Sequence, residues 1–228
     1  MKGRIIVVEG TDCSGKETQS CLLVQTLKRQ GRKVERMSFP NYESPTGKIV
    51  GGPYLGKQHI CSGYFPEGAA QVDPKVAALY YAADRRYNRD AILKLLDKGV
   101  DVVLDRYVES NMGHQGGKIF DKEERLKLYK DLARLEYGFL ELPKPDLTIF
   151  LYVPYKKVAE LRAARPEAAD QHETSPLHIR NAEHAYLELA DLHNYQIIKC
   201  CDKKGDLRDI ENIQEEIYDI VVKELEIK

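Results

Sequence analysis

The stretch that decides the fold is Arg4-Ile-Ile-Val-Val-Glu-Gly-Thr-Asp-Cys-Ser-Gly-Lys-Glu-Thr18. Ile5 to Val8 is a short apolar run, β-branched at every position, with the length of a strand buried on both faces. Gly10-x-x-x-x-Gly15-Lys16 follows it, and a helical stretch runs from Lys16 to about Gln30. Strand, glycine loop and helix in that order are the context a phosphate-binding loop requires. The glycines let backbone N–H groups turn inward as an anion nest. The helix N-terminus adds partial positive charge, and Lys16 reaches the outer phosphates as a point charge. The expected phosphate-contacting set is therefore Gly10, Thr11, Asp12, Cys13, Ser14, Gly15, Lys16, Glu17 and Thr18. One position is irregular. The residue after such a lysine is ordinarily Ser or Thr, whose hydroxyl binds Mg²⁺; here it is Glu17, with Thr18 one step later.

The 228 residues are 43% hydrophobic and 31% charged, with a formal net charge of −1. This is the length of one domain, residues 1–228, with a full core. Near-neutrality supplies no global field for nucleic acid or a membrane surface. There is no apolar run of membrane-spanning length. The first strand begins so close to Met1 that no signal peptide is expected. The five cysteines (13, 21, 61, 200 and 201) are odd in number and form no C-x-x-C pair, which reads as reduced thiols in a cytoplasmic protein.

Outward from the loop, strands and helices alternate. The first helix ends with Lys28 and Arg29 in its last turn and Gly31 as a stop. Residues 33–39 read as a second strand, ended by Phe39-Pro40. Residues 43–72 read as loops with one or two short helical pieces around Gly47–Val50, a long irregular stretch that suggests a binding region. Asp73-Pro74 starts a helix that runs to about Lys98, before Gly99. Val100 to Leu104 is the next strand, and Glu109–Gly117 reads as a glycine-bearing loop. Helix is expected over 121–141, strand over Leu147–Val153, helix from Pro154, a mobile flap over about 154–176, helix over His178–Leu192, strand over Gln196–Cys200 and helix over Leu207–Leu225. This is an α/β chain with a five-stranded parallel sheet. Ligands in such sheets sit at the C-terminal strand ends, which gathers 10–18, 39–42, 105–115 and the flap around one cleft.

Several side chains could carry chemistry there. Asp105, at a strand end, can hold Mg²⁺ directly or through water; the plainer alternative is a carboxylate capping the next turn. Arg106 beside it suits metal-phosphate neutralisation or a solvated pair. Tyr81 and Arg85 are four apart on one helix face and can stack and hydrogen-bond a base, or form a core edge. Arg162 and Arg165 in the flap can reach a migrating phosphoryl group on closure, or sit on a solvated face. The histidines lack metal-ligand spacing, with His172, His178 and His184 six apart, and read as structural or surface. No Asn-Lys pair exists to read a guanine, so a kinase of small phosphorylated acceptors fits better than a GTPase.

At this point the chain resembles the thymidylate kinases. The residues that carry the likeness are Glu9-Gly10-Thr-Asp-Cys-Ser-Gly-Lys16, Phe39-Pro40 with Gly47, Tyr80-Tyr-Ala-Ala-Asp-Arg85, Asp105-Arg-Tyr-Val-Glu-Ser110 leading to Gln115-Gly116, and Asp170-x-x-Glu173 ahead of Tyr186-Leu-Glu-Leu-Ala190. The resemblance implies a P-loop kinase three-layer fold with a mobile lid, transfer of the ATP γ-phosphate to dTMP with Mg²⁺, and a homodimer. Related acceptors or a catalytically impaired nucleotide-binding protein are the alternatives. It further implies that Asp12 contacts the acceptor's sugar or phosphate region, Tyr81 stacks on thymine and Arg85 hydrogen-bonds it. Arg106 would hold phosphate, Phe39, Tyr42, Ser110 and Gln115 would line the acceptor pocket, and Gly113 would lie beside the sugar. Four positions depart from the family pattern: Glu17 in place of the metal-binding hydroxyl, Tyr42 in place of an arginine that often grips the acceptor phosphate, Cys13 in place of a loop arginine and Gln171 in place of a flap arginine. The burden then shifts to Arg162 or Arg165, and Glu17 is expected to face Mg²⁺ or its water shell.

Overall fold

The computed structural model describes residues 2–163 and 176–226. Five strands, β1 (Ile5–Gly10), β2 (Val34–Ser38), β3 (Asp101–Asp105), β4 (Leu147–Tyr152) and β5 (Gln196–Lys199), form one sheet in the order β2-β3-β1-β4-β5. Every pairing is parallel. Among the described residues, eight α-helices connect and cover them: α1 (Lys16–Arg29), α2 (Pro45–Ile49), α3 (Pro74–Asp97), α4 (Val108–Gly116), α5 (Lys122–Ala133), α6 (Tyr155–Ala163), α7 (Pro176–His193) and α8 (Ile210–Glu224). The chain leaves β1 toward β2 and later crosses to β4 on its other side. The C-terminal end of β1 is thus the switch point where α/β sheets open a ligand crevice.

Alternation along the buried strands assigns the two faces. Ile6 and Val8 join Leu23 and Leu27 of α1, Val158 of α6 and Ile213, Ile217 and Val221 of α8 in an aliphatic layer. Ile5 and Val7 point the other way, into a layer with Ile92 and Leu96 of α3, Met112 of α4, Leu128 and Leu132 of α5 and Leu189 of α7. Helix ends follow local chemistry. Asp73 accepts from the N–H groups of Lys75 and Val76 ahead of Pro74, and Gly31 and Gly99 take left-handed φ values of 80° and 71° just past α1 and α3.

The sequence expectations need correction in several places. Residues 109–117 are not a loop but helix α4. Their glycines serve packing: a Cβ on Gly113 would lie 2.7 Å from the Tyr186 ring, and one on Gly116 would lie 2.5 Å from that of Tyr129. Gly113 therefore lets α4 abut α7 closely. The irregular 43–72 stretch contains α2 and a wide π-type turn over Val50–Tyr54. Its Val50, Tyr54 and Leu55 form a small core with Ala69, Val72 and Ala77. The 121–141 helix changes at Arg134–Phe139 to π geometry, and the last helix starts at Ile210, because Leu207 pairs in a bridge with Cys201.

Candidate active site

The phosphate loop is made by backbone. Gly10 ends β1 where a Cβ would come within 2.8 Å of the Leu151 carbonyl. Cys13 and Gly15 both take left-handed φ, 60° and 82°, the alternation that folds successive N–H groups into a nest. Lys16 opens α1, is buried, and donates to the Thr11 carbonyl and, at 3.4 Å, to Ser14 Oγ. Burial first, then the neighbouring Arg106 charge, brings its ammonium down to about 8. The Thr11 hydroxyl is buried with no partner, a donor left over for a phosphate oxygen or its water. Glu17 and Thr18 are exposed in the first turn. Cys13 packs on the edge of the aliphatic layer.

Beside the loop lies a cavity of about 220 Å³ lined by Asp12, Phe39, Pro40, Tyr42, Leu55, Lys57, Tyr81, Arg85, Arg106, Ser110, Asn111, His114 and Gln115. Every expected acceptor residue is among them. Arg106, in a left-handed conformation with φ 67°, turns back over the loop. Its Nη2 pairs with Asp12, and its Nη1 donates to Ser110 Oγ at 2.9 Å and to the Gly10 carbonyl at 3.3 Å. Burial works against its charge, but Asp12 foremost, with Tyr186 and Glu9 after it, holds it above the ordinary arginine range. Asp105 turns the opposite way and accepts from Arg36 Nη2 at 2.6 Å. The adjacent Asp105 and Arg106 are therefore not one ion pair; each serves a different neighbour.

Arg85 lines the cavity as expected and also carries an ion pair that the sequence reading missed. It is fully buried and holds Glu136 of the π segment through Nε and Nη2, so two of its three nitrogens are engaged by a carboxylate. Tyr81 packs edge-on to Tyr54 with ring centroids 5.6 Å apart, and its exposed side lines the cavity.

The helix α4 contributes what the sequence reading missed. With 109–117 taken as helix, residues 110, 111, 114 and 115 fall on one face, at spacings of one, four and five. All four line the cavity. Asn111 donates to Glu136 and to the Ala78 carbonyl, while its Oδ1 is buried without a partner. Both amide atoms of Gln115 are also buried without a partner. Glu9 was quoted only as part of the loop motif, but its carboxylate accepts from the Tyr107 N–H at 2.7 Å and the Tyr186 hydroxyl at 3.1 Å, and burial pushes it up despite Arg106. Arg162 is half-buried in the last turn of α6. Arg165, Asp170, Gln171, His172 and Glu173 lie outside the described residues.

A family model described as Thymidylate kinase matches residues 8–210. The chain belongs to the thymidylate kinase family. Among curated relatives, the thymidylate kinases of Plasmodium falciparum and Schizosaccharomyces pombe are 34% and 35% identical over 67% of this chain, and the matches span 63% and 62% of those proteins. A probable thymidylate kinase of Pyrococcus abyssi is 28% identical over 99% of this chain and 98% of its own length. The solved thymidylate kinase of Candida albicans superposes with a TM-score of 0.71 at 23% identity, covering 97% of this chain and 92% of that one. That likeness shows the fold, a P-loop kinase sheet between helices.

As for a divalent cation, no cluster of three or more potential ligands exists among the described residues. Asp105 has one oxygen taken by Arg36, and Lys16 feels its charge. The donor set fits Mg²⁺ carried in on phosphates and held by one carboxylate and water, rather than a protein cage.

Proposed function

We propose that this family member transfers the γ-phosphate of ATP to dTMP. The observation that carries the reading is the floor of the cavity. Gln115 offers a buried donor and acceptor, and Asn111 a buried acceptor, none with a protein partner. Buried amides left unpaired cost about 1–3 kcal/mol each, so such a floor is built for a ligand. Thymine presents a flat edge with one donor, N3–H, flanked by carbonyl acceptors, and Tyr81 supplies a ring beside it. Arg106, held over the loop by Asp12 and Ser110, places a guanidinium between this floor and Lys16, where an acceptor phosphate would meet the donor's.

The chemistry is in-line transfer positioned by the protein, with no covalent enzyme intermediate. Lys16 and the loop amides hold the donor phosphates, and Arg106 and Asp12 orient the acceptor. Arg162 and Arg165, in a lid over about 154–176, would neutralise the transferring group. Asp105 and, from the exposed first turn of α1, Glu17 would hold the Mg²⁺ that accompanies ATP, which would supply charge neutralisation at the phosphates. Residues 1–228 act as a single kinase unit in this reading, with strands drawn from the whole described chain.

A homodimer is supported by Val76, Leu79 and Tyr87, which leave an apolar stripe exposed on α3 at 42%, 56% and 60%. Phe139, in the π segment, is still more exposed. A reducing, cytoplasmic setting is supported by five free cysteines. No described helix is long and apolar enough to cross a membrane.

The test is ADP release with ATP, Mg²⁺ and a panel of dTMP, dUMP, UMP, dCMP and AMP. Preference for dTMP is the expected result. Another preferred acceptor, or tight ATP binding without turnover, would reject it.

A further inference from the structure

Among the cavity residues, His114 has no part in the reading above. It stands on α4 with its ring stacked on that of His178 of α7, centroids 5.6 Å apart and planes 17° from parallel. Its Nε2 lies 3.2 Å from Arg106 Nη1, and its Nδ1 lies 3.3 Å from His178 Nε2. A guanidinium can only donate. His114 Nε2 must therefore accept, its proton must sit on Nδ1, and His178 Nε2 must in turn accept. The geometry permits one proton arrangement, running from Arg106 through His114 to His178.

We propose that His114 and His178 form a neutral two-imidazole strut that fixes the Arg106 guanidinium in the acceptor cavity and ties it to the start of α7, the helix that follows residues 164–175. His114 is thus a positioning residue for the arginine that the acceptor reading places on phosphate, and the proposal rests on that reading. His178, two residues into α7, gives the strut its footing on that helix.

The surroundings suit neutral rings. Asp12, Arg106 and Lys16 face His114 from the loop and the end of β3, and Tyr186 of α7 meets its ring edge-on at 5.7 Å. Lys118, past the end of α4, faces His178. Burial first, aided by the adjacent cations and opposed by the Asp12 charge, pushes both imidazoles below the ordinary histidine value, His178 to about 4. Protonating His114 on Nε2 would aim an N–H at a guanidinium; protonating His178 on Nε2 would aim one at the Nδ1 proton of His114.

Two readouts test this. In nitrogen-15 spectra of the ring nitrogens, His114 is expected to show the Nδ1–H tautomer and neither His114 nor His178 to titrate between pH 8 and about 5.5. In kinetics, His114→Phe removes the acceptor atom and is expected to raise the KM for dTMP about tenfold with the KM for ATP unmoved. His114→Gln, which can still accept from Arg106, is expected to restore most of that loss. An Nε2–H tautomer at His114, titration of either ring between pH 8 and about 5.5, or a Phe variant whose acceptor KM stays within about twofold of wild type would overturn the strut. A wild-type protein that phosphorylates no monophosphate would sink the functional reading instead, and the ring-nitrogen spectra would still decide the strut.

Discussion

The donor and acceptor halves of the site are built from different materials. On the donor side, the loop from Gly10 to Lys16 is shaped by backbone dihedrals, and the layer beneath it, from α1, α6 and α8, is aliphatic. On the acceptor side, the helices carry buried charge: Arg85 on Glu136, Arg106 on Asp12, and Glu9 and Glu109 sealed from solvent. A backbone nest holds any polyphosphate and needs little from side chains beyond one cation. A base pocket must present specific donors and acceptors in a dry place, and each buried polar group must then be held by another. The acceptor half is therefore where single substitutions should damage folding as well as function.

The largest expected effect tests that contrast. Glu136→Gln leaves the Arg85 guanidinium buried and uncompensated, which costs about 3–5 kcal/mol of stability. The double change Arg85→Met with Glu136→Leu should recover most of it, while losing the cavity's polar rim. Urea unfolding of the three proteins checks this; equal losses in the single and double variants would show that packing, not charge, is at stake.

On the donor side the corresponding change should be purely functional. Lys16→Met is expected to lower the rate by about 10²–10³-fold with unfolding midpoints unchanged or slightly raised, since a desolvated cation has been removed. Lys16 also sets a pH signature. With its free ammonium at about 8 and a bound polyphosphate stabilising the charged form, ATP binding should take up a proton near pH 8 and weaken as pH rises beyond it. Calorimetry in buffers of different ionisation heat reads that proton directly.

Glu109 sharpens the acceptor side. Its carboxyl, bonded to the Tyr137 hydroxyl, is brought up to about 7 by burial and then by the Glu9 charge. A carboxyl whose folded value is raised holds its proton in the folded state between about 4.5 and 7, so its contribution to stability falls as pH rises through that window. Glu109→Gln should match wild type near pH 4.5 and exceed it above pH 7 by up to about 3 kcal/mol. Thermal melts across pH 4.5–8 show whether the two curves diverge. The smallest effect is at the exposed Glu17. Glu17→Gln should raise the Mg²⁺ concentration for half-maximal rate about threefold, the scale of an exposed charge pair; an unchanged requirement would remove Glu17 from the metal's surroundings.

The same contrast explains what could be read from the chain. The loop was legible because its instructions are local: β-branched residues, two glycines at fixed spacing, a lysine and a helix. Asp73-Pro74 and the glycine stops marked helix ends for the same reason. The acceptor site was legible only piecewise. Gly113, Gly116 and Gly117 made 109–117 read as a loop, because the rings of Tyr186 and Tyr129 that need Gly113 and Gly116 small come from 73 and 13 positions later. With the helix hidden, Asn111 and His114 had no face to share with Ser110 and Gln115. Glu136 lies 51 residues from the arginine it neutralises, and no local pattern connects them. Likewise, Asp105-Arg106 looked like one pair, whereas the left-handed turn at Arg106 sends the two side chains to different partners.

The central claim is that the Gln115 amide and the Asn111 Oδ1, unpaired on the cavity floor, read thymine. A crystal structure of the protein with dTMP bound tests it most directly. The account predicts the base edge within about 3 Å of the Gln115 and Asn111 amides, its ring beside Tyr81 and its phosphate at Arg106. A base bound elsewhere, with those atoms still without partners, would contradict it.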